Sequence, residues 1–404
     1  MKNKKIAILT HFNVCNFGAN MQAVSTSACL RKNGWEPVFI NWNQYQSSLF
    51  LNVPKVQQNT HKDFVYNNLK VSPALCNEKE IVTYLNENEI KNIIVGSDAV
   101  FSLNTWLDSI AVNKKGIHFK KSTPDKVFPN VFWLSELQGD KSFNIAMMSV
   151  SSQNACYKLF SKKVKEGVKS CLQRYDYISV RDEWTQKMVY DIGGRKVNVT
   201  PDPMWAFETN YDDTETEEGF FMRMKIERPY LLLGFQNAYV KRTKRWLNEF
   251  ISIAHHAGFQ CLPLPFAFGY IDSDYDKQIK FPLSPMDWYR LIKYSRGYIG
   301  YNMHPIIVSM ANNVPCFSID NYGINIAKFF NIKESSKIYD VFKQANRLDY
   351  RCSLRDFFYT PHYSPSYVLE KLMTYDYSAG FSFAQKQKVN YQSMMNDIFK
   401  LFEK

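Results

Sequence analysis

The chain lacks the cysteine spacing of a metal site or a redox pair: its eight cysteines are scattered, with no C-x-x-C among them. That pattern predicts reduced thiols, no structural metal and a cytoplasmic setting. No apolar run approaches the roughly 18 residues that a membrane span requires. The start, Met1-Lys2-Asn3-Lys4-Lys5, is basic, but the short apolar stretch behind it runs into Thr10, His11 and Asn13. It reads as a first strand rather than a secretory leader. Neither G-x-G-x-x-G nor G-x-x-x-x-G-K-[ST] occurs, which weighs against dinucleotide and ATP sites. G-x-S-x-G and H-E-x-x-H are absent too, which leaves no nucleophile elbow and no zincin helix. Without a zinc-finger, helix-turn-helix or RNP signature, no nucleic-acid partner is expected.

What is present is the profile of a folded, basic chain. Its 404 residues exceed what one core usually organises. The formal charge is +12, which favours acidic partners and contact with an anionic membrane surface. Three stretches carry much of the excess. Lys114, Lys115, Lys120, Lys121 and Lys126 fall in an expected loop. Lys158, Lys162, Lys165 and Lys169 recur at helical spacing and read as a solvated face. Lys241, Arg242, Lys244 and Arg245 open an expected helix.

Apolar periodicity alternates between strand and helix along the whole chain. The first half reads as strand 4–10, helix 19–33, strand 36–42, helical pieces near 62–70 and 78–88, and strand 92–96. A Lys- and aromatic-rich insertion runs to about 137, then come strand 143–150, helix 154–174, strand 176–180 and helix 182–192. Glu208 to Glu218 is acidic with no basic residue and reads as a solvated connector. The second half begins at Tyr230-Leu231-Leu232-Leu233 and continues with helix 240–257, strand 259–263, helix 286–295, strand 297–301, helix 305–312 and strand 315–319. Helices near 335–346, 366–374 and 384–402 close the chain, the last able to cross back to the first half. The expectation is an α/β protein of two Rossmann-like domains, residues 1–210 and 211–404, facing across a cleft.

Ligands of open parallel sheets bind beyond the carboxyl ends of the strands, and polar residues of this chain collect there. Asn16-Phe17-Gly18 follows the first strand, where Gly18 permits close backbone approach and a helix start suits an anion. Ser97-Asp98 ends the most apolar strand of the first half, and Asp98 can accept or orient a hydroxyl proton. Arg181 follows Tyr177-Ile178-Ser179-Val180 and offers a planar fork to phosphate or carboxylate. Asn302, Met303 and His304 follow Gly297 to Tyr301, and His304 is the best acid–base residue. Asn237, Pro265 and Asp320 are weaker cases, and His11 stands near Asn16. Plainer roles compete: a strand–helix turn at Gly18, an N-cap at Asp98, an ion pair of Arg181 with Asp182 or Glu183, a helix cap at His304.

At these residues the chain resembles the polysaccharide pyruvyl transferase family. Asn16-Phe17-Gly18-Ala19-Asn20-Met21-Gln22-Ala23 is similar to its N-[YF]-G-A-x-x-Q-A segment, and Gly96-Ser97-Asp98-Ala99-Val100-Phe101 in part to G-S-D-Q-[VI]-W. Ser179-Val180-Arg181-Asp182 and Asp202-Pro203 resemble its S-V-R-E and D-P steps. Ser284-Pro285 through His304 resembles its Ser-Pro helix, strand and histidine helix. Ala99 and Phe101 replace Gln and Trp, Pro305 replaces a glycine, and Asn302 stands where some branches carry arginine.

The resemblance implies a GT-B-like fold and transfer of pyruvate from phosphoenolpyruvate, the donor substrate, to a sugar as a cyclic ketal, with no cofactor. Arg181 and the Met303-His304 turn would hold the donor, His304 would supply a proton and Asp98 would handle a hydroxyl. The acceptor would be a surface-polysaccharide sugar or a lipid-diphosphate-linked precursor. The competing readings are a nucleotide-sugar glycosyltransferase, with Lys241 and Arg242 on a diphosphate, and a silent relative that binds glycans.

Overall fold

The computed structural model describes residues 4–42, 52–113, 116–119, 121–235, 240–326, 330–354 and 361–404. The side chains of 111–113, 117, 240–242, 325–326 and 330–331 lie outside that description. So Asn237 and the side chains of Lys114, Lys115, Lys120, Lys241 and Arg242 fall outside the described residues.

The first domain runs β1 (Lys5–Leu9), α1 (Phe17–Lys32), β2 (Glu36–Trp42), α2 (Lys55–Asn68), β3 (Val71–Leu75), α3 (Glu78–Glu87) and β4 (Asn92–Asp98). The insertion carries an antiparallel hairpin, β5 (Ile110–Asn113) and β6 (Gly116–Phe119). Then follow β7 (Asn144–Val150), α4 (Lys162–Arg174), β8 (Tyr177–Val180), α5 (Glu183–Gly193) and β9 (Asn198–Val199). Two short helices, α6 (Phe207–Asn210) and α7 (Glu217–Met224), lead to the second domain. It contains β10 (Tyr230–Gly234), α8 (Val240–His256), β11 (Gln260–Pro263), α9 (Pro285–Lys293), β12 (Gly297–Gly300), α10 (Met303–Ala311) and β13 (Cys316–Asp320). A small hairpin of β14 (Ile324–Ile326) and β15 (Phe330–Ile332) follows, then α11 (Lys337–Gln344), β16 (Arg351–Ser353), α12 (Pro365–Met373) and α13 (Tyr377–Phe402).

Two parallel sheets result, ordered β3-β2-β1-β4-β7-β8-β9 and β11-β10-β12-β13-β16. In each, the winding direction reverses beside the first strand, between β1 and β4 and between β10 and β12. Such reversals leave a crevice beyond the strand ends. His11 and Asp98 stand at the first reversal, Tyr301 and Asn302 at the second.

Several elements differ from expectation for local reasons. Pro73 hides β3 in the sequence, yet β3 is an edge strand, where a missing N–H is tolerated. Helix α4 begins eight residues later than 154, because Ser161 caps it by accepting from Val164 N–H. Helix α10 begins at Met303, so His304 lies within its first turn. The acidic run is not merely solvated. Asp213 and Glu215 both engage Arg290 of α9, Glu215 also binds Arg223, Lys293 meets Glu208 at 2.7 Å, and Lys32 meets Asp212 at 2.8 Å.

The domains share one continuous apolar core. Phe17 at the start of α1 stacks on Trp288 of α9, with centroids 5.5 Å apart and planes 5° from parallel. The fully buried Gln57 side chain of α2 exchanges two 2.8 Å hydrogen bonds with the Leu283 backbone. Helix α13 starts in the second domain and packs on the first: Trp35 stacks on Phe399, and the Met394 sulfur lies 3.3 Å from Ser149 and from Ser179. Trp288→Ala should therefore cost about 3–5 kcal/mol of global stability, read as a lower midpoint in urea denaturation.

Candidate functional site

A cavity of about 260 Å³ lies between the two strand-end faces. The first domain contributes His11, Asn16, Phe17, Gly18, Asp98 and Lys126; the second contributes Phe266, Trp288, Asn302, Met303, His304, Tyr322 and Lys337. Local structure explains several of these placements. Asn16 caps α1 through its side-chain oxygen, which accepts from Ala19 N–H at 3.2 Å, so Phe17 and Gly18 open the helix at the cleft. Asp98 ends β4 at φ +85°. That conformation costs a non-glycine residue about 1–3 kcal/mol, and it sets the carboxylate near His11 and Arg181. Lys126 arrives on the insertion, where the Asn130 amide donates to the Asp125 and Val127 carbonyls.

Beneath the cavity lies the Asp202 carboxylate, whose side chain is fully buried. Its Oδ2 accepts from Gln22 Nε2 of α1 at 2.6 Å and from Arg181 Nη1 at 2.8 Å. His304 Nε2 stands 3.8 Å from the same oxygen. Asp202 Oδ1 accepts from Met204 N–H at 2.9 Å, which fixes the carboxylate to the turn at Pro203. Arg181 Nη2 is 3.6 Å from Asp98 Oδ1, and His11 Nδ1 is 3.6 Å from Asp98 Oδ2. His11 Nε2 is 3.9 Å from Asp125, which also meets Lys126 at 3.6 Å.

These neighbours set the charge states. Burial alone would raise the Asp98 pKa, but His11, Arg181 and His304 outweigh it and hold the carboxyl well below the usual range. Burial also disfavours charge on Arg181, yet Asp202, Asp98 and Asp182 keep it protonated. For His304 burial prevails over Asp202 and Asp98, and the pKa falls below its ordinary value. His304 is thus neutral at pH 7 in the resting site.

Asn16, Phe17, Gly18, Asp98, Asn302, Met303 and His304 all line the cavity, and so does His11. Ser97 instead lies under the floor, 2% exposed, donating to Ser149 O and accepting from Gln22. Arg181 is also buried beneath the lining, and the surface ion pair with Asp182 or Glu183 does not form. Asp182 caps α5 by accepting from Thr185 N–H, and Glu183 pairs with Lys343. Asp320 is taken up by a two-pronged bond to Arg351 at 2.7 and 2.8 Å. Asp98 does not cap a helix. Sequence reasoning missed Asp202, Tyr322, Lys337 and the part of Lys126. Asp202-Pro203 was visible only as a family step; Lys337 opens an ordinary amphipathic helix and carries no local signal. Away from the cleft, His255, Cys261 and Asp276 bring ligand atoms within 4.8 Å of one another. Asp276 there already accepts from Cys261 N–H and contacts His255.

Gly18 shows how tightly the domains meet: a Cβ added there would lie 2.1 Å from His304 Nδ1. The imidazole therefore rests directly on the first turn of α1.

The profile of the polysaccharide pyruvyl transferase family matches residues 16–322 of the chain. No curated protein matches it in sequence. Among solved structures, UGT2 of Phytolacca americana, complexed with UDP-2-fluoro-glucose and pterostilbene, has a TM-score of 0.54 at 10% identity, over 99% of this chain and 100% of its own. MnaA of S. aureus, solved with UDP, has a TM-score of 0.51 at 9% identity, over 96% and 92%. A glycosyltransferase of Rickettsia africae has a TM-score of 0.50 at 10% identity, over 100% and 98%. The likeness is one of fold: two Rossmann-like domains in the GT-B arrangement.

Two outcomes are expected here. Gly18→Ala should fold but displace the imidazole of His304, seen as a changed His304 resonance in heteronuclear NMR. Because the folded pKa of His304 is depressed, its contribution to stability is present above the unfolded pKa of about 6.5 and is lost as pH falls below it. His304→Asn should remove that part of the acid destabilisation in pH-dependent denaturant titrations.

Proposed function

The chain belongs to the polysaccharide pyruvyl transferase family, and from that premise we propose that it moves pyruvate from phosphoenolpyruvate onto two hydroxyls of one sugar, forming a cyclic ketal. The observation that carries this reading is the shared cavity: His304 from one domain, His11 and Asp98 from the other, and Lys126 and Lys337 at its walls.

The proposed chemistry has two stages. A proton reaches C3 of the donor and a sugar hydroxyl adds at C2, so that the double bond is replaced by a C–H and a C–O bond. The C2–O bond to phosphate then breaks, phosphate leaves with the electron pair and the second hydroxyl closes the ring. Of the two hydroxyl protons, one balances the new methyl group and the other leaves with phosphate. His304 is the proposed donor of the C3 proton. It is neutral in the resting site, and the negative charge of phosphoenolpyruvate supplies what burial takes away, raising its pKa on binding. Asp98 is too acidic to be a strong base, so its proposed part is to orient His11, which takes the first hydroxyl proton. Developing positive charge at C2 would be met by the Asp98 and Asp202 carboxylates.

The acceptor in this reading is a sugar of a surface polysaccharide or of its lipid-diphosphate-linked precursor. No helix among the described residues is long and apolar enough to cross a membrane. The net charge of +12 suits contact with an anionic cytoplasmic membrane face.

The test is phosphate release from phosphoenolpyruvate that depends on a sugar acceptor, with mass spectrometry of the product for one added pyruvate ketal. His304→Ala should lower kcat by about 10²–10⁴-fold. Consumption of a nucleotide-sugar, with no acceptor-dependent phosphate release across a broad acceptor panel, would falsify the proposal.

A further inference from the structure

We propose that Lys337 forms the anion subsite of the cleft and binds the phosphate or carboxylate of a phosphorylated three-carbon acid. The donor's identity rests on the function proposed above; the anion subsite itself rests on geometry. Each of the other basic groups in or under the cavity wall, lysine, arginine or imidazole, has a carboxylate at hand. Lys126 is 3.6 Å from Asp125, Arg181 is 2.8 Å from Asp202, and His11 lies 3.6 Å from Asp98. His304 faces Asp202 at 3.8 Å. Lys337 lines the same cavity, and no carboxylate among the described residues comes within ion-pairing distance of it. Its ammonium sits over the Tyr322 ring, 5.4 Å from the centroid. The Tyr322 hydroxyl in turn donates to Asn302 Oδ1 at 3.3 Å, which ties the lysine to the turn that carries His304.

A half-buried ammonium without a counter-ion is costly, and an anionic ligand relieves that cost. The electrostatics agree. Burial first and Arg181 second push the Lys337 pKa down to about 8, against the pull of Asp98, Asp202 and Asp182. His304 feels the same ammonium, which helps to keep the imidazole neutral. A bound anion would raise both groups together and so charge the proton donor only when its substrate is present.

Calorimetric titration with phosphoenolpyruvate, inorganic phosphate and pyruvate, using wild type, Lys337→Met and Lys337→Arg, tests this. Wild type should bind phosphoenolpyruvate, Lys337→Met should bind it about tenfold or more weakly, and Lys337→Arg should keep most of the affinity. Matched thermal melts exclude misfolding. Phosphate or pyruvate, whichever loses affinity in Lys337→Met, identifies the end that is held. Wild-type affinity should fall as pH rises through about 8, while that of Lys337→Arg should not. The groups facing Lys337 in that titration are Asp98, Arg181, Asp182, Asp202, His304 and Tyr322. Equal affinity in wild type and Lys337→Met, or no binding of either phosphate compound by wild type, overturns the inference. Lys337-dependent binding without pyruvyl transfer would leave the subsite standing and remove the proposed reaction. Turnover with an unchanged KM for phosphoenolpyruvate in Lys337→Met would do the reverse.

Discussion

The Asp202 carboxylate is the constraint on which the site depends. It is fully buried, and three elements reach it: α1 through Gln22, the end of β8 through Arg181, and α10 through His304. Removing it would leave the buried Arg181 guanidinium with only the more distant fields of Asp98, at 3.6 Å, and Asp182. The turn that holds Asp202 packs on α1, α10 and α13 together. One loop thus touches elements of both domains and places a carboxylate beside the imidazole.

A second consequence concerns charge. The excess of lysine and arginine suggests a strongly positive cleft, but the described site is nearly balanced. Arg181, Lys126 and Lys337 stand against Asp98, Asp125 and Asp202. Balance stabilises the resting protein, because buried unpaired charges are expensive. For the proposed anionic donor, it leaves Lys337, which has no carboxylate partner among the described residues, and proton uptake on imidazole to meet the charge. The shared core across α1 and α9 has a related effect: Phe17 on Trp288 and Gln57 on Leu283 hold the cleft largely preformed.

Much of this was legible along the chain. The apolar runs Ile6 to Leu9, Ile93 to Val95, Tyr230 to Leu233 and Tyr298 to Ile299 announce buried parallel strands, because both faces of such sheets are covered. The residues just past them point to the cleft, and Asn16, Phe17, Gly18, Asp98, Asn302, Met303 and His304, with His11, do line it. Other features were hidden. Edge strand β3 contains a proline, and the hairpin of β5 and β6 lies in a stretch without clear period. The burial of Ser97 and Arg181 could not be read either, since both stand at strand ends as cleft residues do.

The sequence by itself determined the two alternating halves, the parallel sheets and the polar strand ends, because hydrophobic period and turn residues are local properties. Which of those polar groups face the cavity was decided only by the tertiary structure. Asp202, Arg181 and Gln22 meet through the packing of α1, β8 and the Pro203 turn, elements far apart in the chain. Lys337 belongs to the site because the first residue of α11 reaches the cavity wall, and the want of a carboxylate partner for it among the described residues is a property of that three-dimensional neighbourhood alone.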